Sequence, residues 1–147
     1  MFKHILIPTD GSAVAAKAIK AGVALAKEMG ATVTGYYAIE PAPTHIYGEG
    51  YLADRKIVEE LERRAREVAQ RAVDQVAAAA KEAGVRSETV VDSAVQPYKG
   101  IVEAAQKSHC DAIFMASHGH RGLSGLLLGS VTQKVLTHSK TPVLVFR

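Results

Sequence analysis

The stretch SHGHRGLSGLLLGSVT, residues 117 to 132, gathers four glycines, two histidines and an arginine within sixteen positions. Residues of these types can cradle a phosphate, hold a metal, present a nucleophile, or serve only as a flexible connection. Spacing removes some of these options. A phosphate loop of the GxxxxGK[ST] type needs a lysine before the hydroxyl residue, and here Gly129 precedes Ser130. A dinucleotide fingerprint needs GxGxxG, whereas Gly119, Gly122 and Gly125 are spaced evenly by three. A nucleophile elbow needs GxSxG, but Ser124 runs directly into Gly125. His118 and His120 could ligate a metal, yet no third ligand stands near them in the sequence.

A backbone cradle survives these eliminations. Gly119 would let the main chain approach a ligand without a Cβ in the way. Gly129, Ser130, Val131 and Thr132 would offer amides at the start of a helix, where the aligned peptide dipoles favour an anion. The hydroxyls of Ser130 and Thr132 would add donors, and Arg121 would neutralise charge. Taken locally, a glycine-rich connection with a capped helix accounts for the same residues equally well.

The elements that must position this loop follow from hydrophobic periodicity. HILIP is a short strand, apolar on both faces, that runs into the turn Thr9, Asp10, Gly11, Ser12. A helix is predicted over 12–29, with Val14, Ala18, Val23, Leu25 and Ala26 at helical spacing and Gly30 as its stop. ATVTGYYAIE is a second strand, and the Pro- and Gly-rich segment 40–51 is a loop. The longest helix is predicted over 52–83. Its stripe is Ile57, Leu61, Ala65, Val68, Ala72, Val76 and Ala80, opposite a charged face holding Glu59, Glu62, Arg63, Arg66 and Glu67. SETVVDS, a helix opening at Pro97, DAIFMAS, a helix over VTQKVLTHS and the strand VLVFR complete the chain.

This order, β-α-β-α-β-α-β-α-β, predicts an α/β fold: an open five-stranded parallel sheet with helices on both faces, Rossmann-like, in three layers and one domain spanning 1–147. In such a sheet ligands bind beyond the carboxyl ends of the strands where strand order reverses. The candidate turns are therefore the one after strand one, entered through Pro8 and Thr9, and the one after strand four. Both face one crevice if those strands are neighbours.

Composition narrows the function classes. The chain has 147 residues, 48% hydrophobic and 22% charged, which fits a globular protein. A net charge of +3 is too mild to indicate a nucleic-acid surface. No segment reaches the ~18 consecutive apolar residues of a membrane span, and the opening MFKHILIPTD lacks a secretion signal, so a cytoplasmic location is expected. The single cysteine, Cys110, cannot form an internal disulfide and reads as a half-buried, inert thiol.

The whole chain, above all ILIPTDGS and MASHGHRGLSGLLLGSVTQKVLTHSKTPVLVFR, resembles the universal stress protein family. ATP-binding members carry G-x2-G-x9-G-[ST]. Gly119 and Gly129-Ser130 match that pattern, and Ala116 departs from it at the first glycine. The resemblance implies phosphates against Gly119, Gly129, Ser130, Val131 and Thr132, with Asp10 beside the nucleoside and Ala38 and Met115 near the adenine. Pro8, Thr9, Ala116, His118, Arg121 and Gly122 complete the expected nucleotide-binding set. It further implies ATP as ligand, with Mg²⁺ accompanying it, and a homodimer formed through the edge strand Val143–Phe146. The reading is a stress-response module whose ATP occupancy alters its interactions with a protein partner the sequence does not name. Two alternatives stand beside it: a slow magnesium-dependent ATP hydrolase, and a nucleotide-free dimeric interaction protein for which Ala116 argues.

Overall fold

The alternation of strands and helices is realised in the computed structural model, which describes residues 1–41, 55–119 and 128–147. Strand β1 (His4–Pro8) is followed by α1 (Ala13–Met29), β2 (Thr32–Ile39), α2 (Arg55–Ala83) and β3 (Ser87–Ser93). Helix α3 (Pro97–Lys107), β4 (Ala112–Ala116), α4 (Ser130–His138) and β5 (Val143–Phe146) complete the order. The strands pair in parallel in the order β3-β2-β1-β4-β5. β1 therefore lies between β2 and β4, and the crevice between the carboxyl ends of β1 and β4 is the point where strand order reverses.

A strand paired on both edges and covered on both faces must be apolar throughout, and Ile5, Leu6 and Ile7 are wholly buried. Alternation sends Ile5 and Ile7 into one core layer with α1 and α2, and Leu6 into a second with α3 and α4. Along β4, Ala112, Phe114 and Ala116 belong to the first layer, whereas Ile113 and Met115 belong to the second.

Helix α1 starts where the Ser12 hydroxyl accepts a hydrogen bond from the Ala15 amide at 3.1 Å. It stops at Gly30, whose φ of 64° lies in the left-handed region that glycine adopts without steric cost. Its buried face is Ala15, Ala18, Ile19, Gly22, Val23 and Ala26. Val14, expected in the core, is instead exposed, and Leu25 is only half-buried. Close approach to the sheet selects the small residues: a Cβ at Gly22 would lie 2.9 Å from Ile7 Cδ1 and Phe114 Cδ1.

Helix α2 corrects the expected stripe more substantially. Ala69, Ala72, Val73, Val76 and Ala80 are buried, but Ile57, Leu61 and Val68 are about half exposed. The cause is length. Twenty-nine helical residues extend roughly 43 Å, whereas the eight residues of β2 extend roughly 27 Å. Only the second half of α2 lies over the sheet. Its first half is laced by exposed pairs such as Arg55–Glu59 and Arg64–Glu60, which contribute little to stability. Among the described residues no helix is long and apolar enough to cross a membrane.

The seam between α2 and β2 is tight enough to test. A Cβ at Gly35 would fall 2.9 Å from Val76 Cβ and 3.1 Å from both its γ carbons. Gly35→Ala should lower unfolding free energy by about 1–3 kcal/mol through overpacking. Adding Val76→Ala should recover part of that loss in a denaturant double-mutant cycle. Additive single effects would contradict the packing described.

Candidate functional site

Two turns meet at the switch point. In the first, Pro8 closes the β1 ladder, and the Thr9 amide still donates to Tyr36 O at 2.9 Å. Thr9 Oγ1 accepts from the Gly11 amide at 3.1 Å, and Asp10 Oδ1 accepts from the Ser12 amide at 2.9 Å. These local bonds fold the turn back on itself and fix the Asp10 carboxylate at the mouth of the crevice.

The second turn is built against the first. A Cβ at Gly119 would collide with the Asp10 carboxylate, so glycine here permits the two turns to touch. His118 Nδ1 lies 2.9 Å from Ser117 Oγ. Across the crevice, the Gly129 amide donates to Ser117 O at 2.7 Å, and Thr132 Oγ1 donates to Ala116 O at 3.0 Å. The first turn of α4 is thereby tied to the end of β4.

These bonds correct two sequence expectations. The Gly129 amide is not available to a ligand, because Gly129 is the N-cap and its N–H is already given to Ser117 O. The Thr132 hydroxyl is likewise committed: the residue is 3% exposed and turned toward the sheet. Among the described residues, what remains are the amides of Ser130, Val131 and Thr132. As first-turn N–H groups they have no intrahelical acceptor, and no side chain of the N-cap covers them. The first turn carries no acidic residue, so nothing on the helix itself opposes the positive end of its dipole.

Beside these donors lies an apolar shelf. Met115 from β4, Ala38 from β2 and Val131 from α4 pack on the same core layer, on the α3–α4 side of the sheet. Ala116 points the other way, into the layer beneath α1 and α2. It lies within β4, opposite Phe146, and its φ is not among the positive values of the described residues. Alanine at this motif position therefore carries no left-handed backbone strain, and its methyl group faces the core rather than the shelf.

The sequence reading did not single out Tyr37 or Ser117. Burial, then the charges of Asp10 and Glu40, raise the Tyr37 pKa, which places its phenol within the field of the Asp10 carboxylate. Ser117 supplies the carbonyl that holds Gly129. Its signal was positional, since it is the first residue beyond a strand that ends at the switch point. Arg121, Gly122 and His120 lie outside the described residues. Among those described, no three His, Cys, Asp or Glu side chains cluster as a metal site. Burial pushes the Cys110 thiol up to about 11, in keeping with an unreactive side chain.

Residues 1–147 match the model of the universal stress protein family. Universal stress protein MJ0531 of Methanocaldococcus jannaschii is 36% identical over 148 residues, covering all of this chain and 83% of the relative. The solved structure of MJ0577 from the same organism superposes with a TM-score of 0.80 at 28% identity, covering 99% of this chain and 95% of that one. Two more distant structures share the fold. One is a universal stress protein in complex with cAMP, 24% identical with a TM-score of 0.66 over 99% of this chain and 97% of that one. The other, from Archaeoglobus fulgidus, is in complex with dAMP, 17% identical with a TM-score of 0.65 over 100% and 98%.

Proposed function

The chain belongs to the universal stress protein family, and we propose that it acts as an ATP-binding stress-response module, with occupancy of the β1–β4 crevice altering its interactions. The observation that carries this reading is the start of α4, where three amides without an acceptor among the described residues lie at a strand-order reversal beside an apolar shelf. In the proposed complex the amides of Ser130, Val131 and Thr132 receive the phosphates, and Gly119 and Gly129 leave the backbone room to approach. Ala38, Met115 and Val131 receive the adenine. Asp10 lies beside the nucleoside, with Pro8 and Thr9 shaping its turn and His118 at the crevice edge. Arg121 and Gly122 retain their place in the proposal from the sequence. The adenine nucleotides held by the cAMP and dAMP complexes of other family members agree with this ligand class.

Mg²⁺ would enter with the nucleotide and neutralise phosphate charge, and Asp10, whose carboxylate lies against Gly119, could meet it. The reading is one of binding. Phosphoryl transfer needs a positioned water or base and charge stabilisation at the transferred group. Among the described residues the arrangement singles out no side chain for those tasks.

Calorimetric titration with ATP and Mg²⁺ tests the site. Wild type should bind at micromolar affinity. Gly129→Leu should weaken binding at least about tenfold, a loss of ~1.4 kcal/mol. The substitution is compatible with the backbone, whose φ of −70° suits any residue, but its side chain would start 3.2 Å from Ser117 O, across the crevice. Melting temperature provides the control for folding. Ala116→Gly should leave affinity essentially unchanged, because that position is ordinary strand. Recovery of binding only in Ala116→Gly would favour the nucleotide-free alternative for the natural chain.

A homodimer through β5 forms the second part of the proposal. β5 is an outer strand, and the carbonyls of Pro142 and Phe146 accept from the amides of Ile113 and Ser117. Alternation then turns the backbone N–H and C=O of Val143 and Val145 outward, where a second copy can pair with them. Val145→Pro removes an outward donor without touching the β4 ladder. Sedimentation should show a dimer for wild type and a folded monomer for the variant, whereas a monomeric wild type would contradict this part.

A further inference from the structure

The sheet has two outer strands, and the proposed pairing of copies uses only β5. β3 lies at the far side, hydrogen-bonded to β2 alone. The Val33 amide donates to Arg86 O at 3.0 Å, and the Ala94 amide donates to Ile39 O at 2.9 Å. Arg86 and Ala94 thus turn these groups toward β2, and in a parallel ladder every second residue between them does the same. The N–H and C=O groups of Ser87, Thr89, Val91 and Ser93 point outward instead. None of them has a partner among the described residues.

An open edge of this length is a template for another strand, and proteins commonly blunt such edges with proline, lysine or a bulge. β3 pairs with β2 residue for residue from Ser87 to Ser93, without a bulge, and holds neither proline nor lysine. Its charges are acidic and share one face. Val90 packs on the core layer beneath α3 and α4, so by alternation Glu88 and Asp92 flank it on that face. Both are exposed, and neither forms an ion pair among the described residues. The opposite face carries only the uncharged Ser87, Thr89, Val91 and Ser93.

Asp92 also opens onto a groove of about 470 Å³ beside α3, lined by Gln96, Lys99, Glu103 and Lys107. Lys107 lies 3.8 Å from Glu103. Burial, then the charges of Asp92 and Glu103, push the Tyr36 pKa up to about 12, so the field beneath the groove is negative despite the lysines. A strand added antiparallel to β3 meets Glu88, Val90 and Asp92 at non-hydrogen-bonded positions, where facing side chains come closest. Two β3 strands in full overlap, centred on Val90, would set Glu88 against Asp92, like charge opposite like. Basic residues four apart turn the same pattern into two cross-strand ion pairs.

We infer that the β3 edge binds an extended segment of a partner protein, added antiparallel, with Lys or Arg opposite Glu88 and Asp92 and an apolar residue opposite Val90. Main-chain hydrogen bonds to the four outward residues hold the segment, and the two acids select it. The long side chain opposite Asp92 enters the groove toward Glu103. None of these residues belongs to the proposed nucleotide cradle, so the inference stands apart from it.

The probe is the capped peptide Thr-Lys-Thr-Val-Thr-Lys-Thr, titrated into ¹⁵N-labelled protein. At millimolar concentration it should shift the amides of Ser87, Thr89, Val91 and Ser93 saturably and slow their exchange with solvent. The capped peptide Thr-Glu-Thr-Val-Thr-Glu-Thr should bind at least about threefold more weakly, and the double variant Glu88→Lys, Asp92→Lys should reverse that order. Thr89→Pro removes an outward donor and no bond to β2, so it should abolish binding in a protein that stays folded by circular dichroism. Gly129→Leu should leave peptide binding unchanged. Three results would overturn the inference: no shifts along β3, equal affinity for the two peptides, or a change of oligomeric state in Thr89→Pro, which would assign the edge to a second copy.

Discussion

Two hydrogen bonds fasten the first turn of α4 to the end of β4, from the Gly129 amide to Ser117 O and from Thr132 Oγ1 to Ala116 O. The geometry of the crevice depends on this latch. A helix start left to the preceding loop alone would hold its amides in no fixed relation to the sheet. Tied to the carbonyl of the last β4 residue and to that of the residue after it, it aims the amides of Ser130, Val131 and Thr132 in a direction set by the core. The latch uses groups that a simpler cradle would have offered to the ligand. Backbone donors of the next three residues remain, and they need no side-chain ordering when a ligand arrives.

The opposing wall is held with equal economy. The Asp10 turn is closed by its own hydrogen bonds, and the second turn touches it through Gly119, where a single added carbon would strike the carboxylate. Ala116 lends its carbonyl to the latch, but its side chain belongs to neither feature. Its backbone completes β4 and its methyl group fills the layer beneath α1 and α2. The motif's departure from glycine at this position is therefore a matter of core filling, and the shelf formed by Ala38, Met115 and Val131 lies on the opposite face.

Much of this was legible in the sequence. The apolar run Ile5–Ile7, Gly30 and Pro97 marked elements because each reflects a local constraint: burial on both faces, a left-handed residue, a fixed φ. The β1–β4 adjacency was suggested by the regular alternation and is present in the sheet. The stripe on α2 misled because periodicity reports an apolar face but not how far the sheet beneath it extends. Ile57 and Leu61 keep the period and lie beyond the covered half. The commitment of the Gly129 amide and the Thr132 hydroxyl was illegible for a related reason, since the acceptors, the carbonyls of Ser117 and Ala116, are brought near only by the tertiary fold. Tyr36 read as one more strand aromatic until its hydroxyl was seen against Gly100.

The central claim is that the latched start of α4 receives the phosphates of an adenine nucleotide. Titrating ¹⁵N-labelled protein with ATP and Mg²⁺ tests it residue by residue. The account expects the largest amide shifts at Ser130, Val131 and Thr132, with smaller ones at Asp10, Ala38 and Gly119, and little change along α3. Saturable shifts elsewhere with the α4 amides unmoved, or no shifts at millimolar ATP, would contradict it.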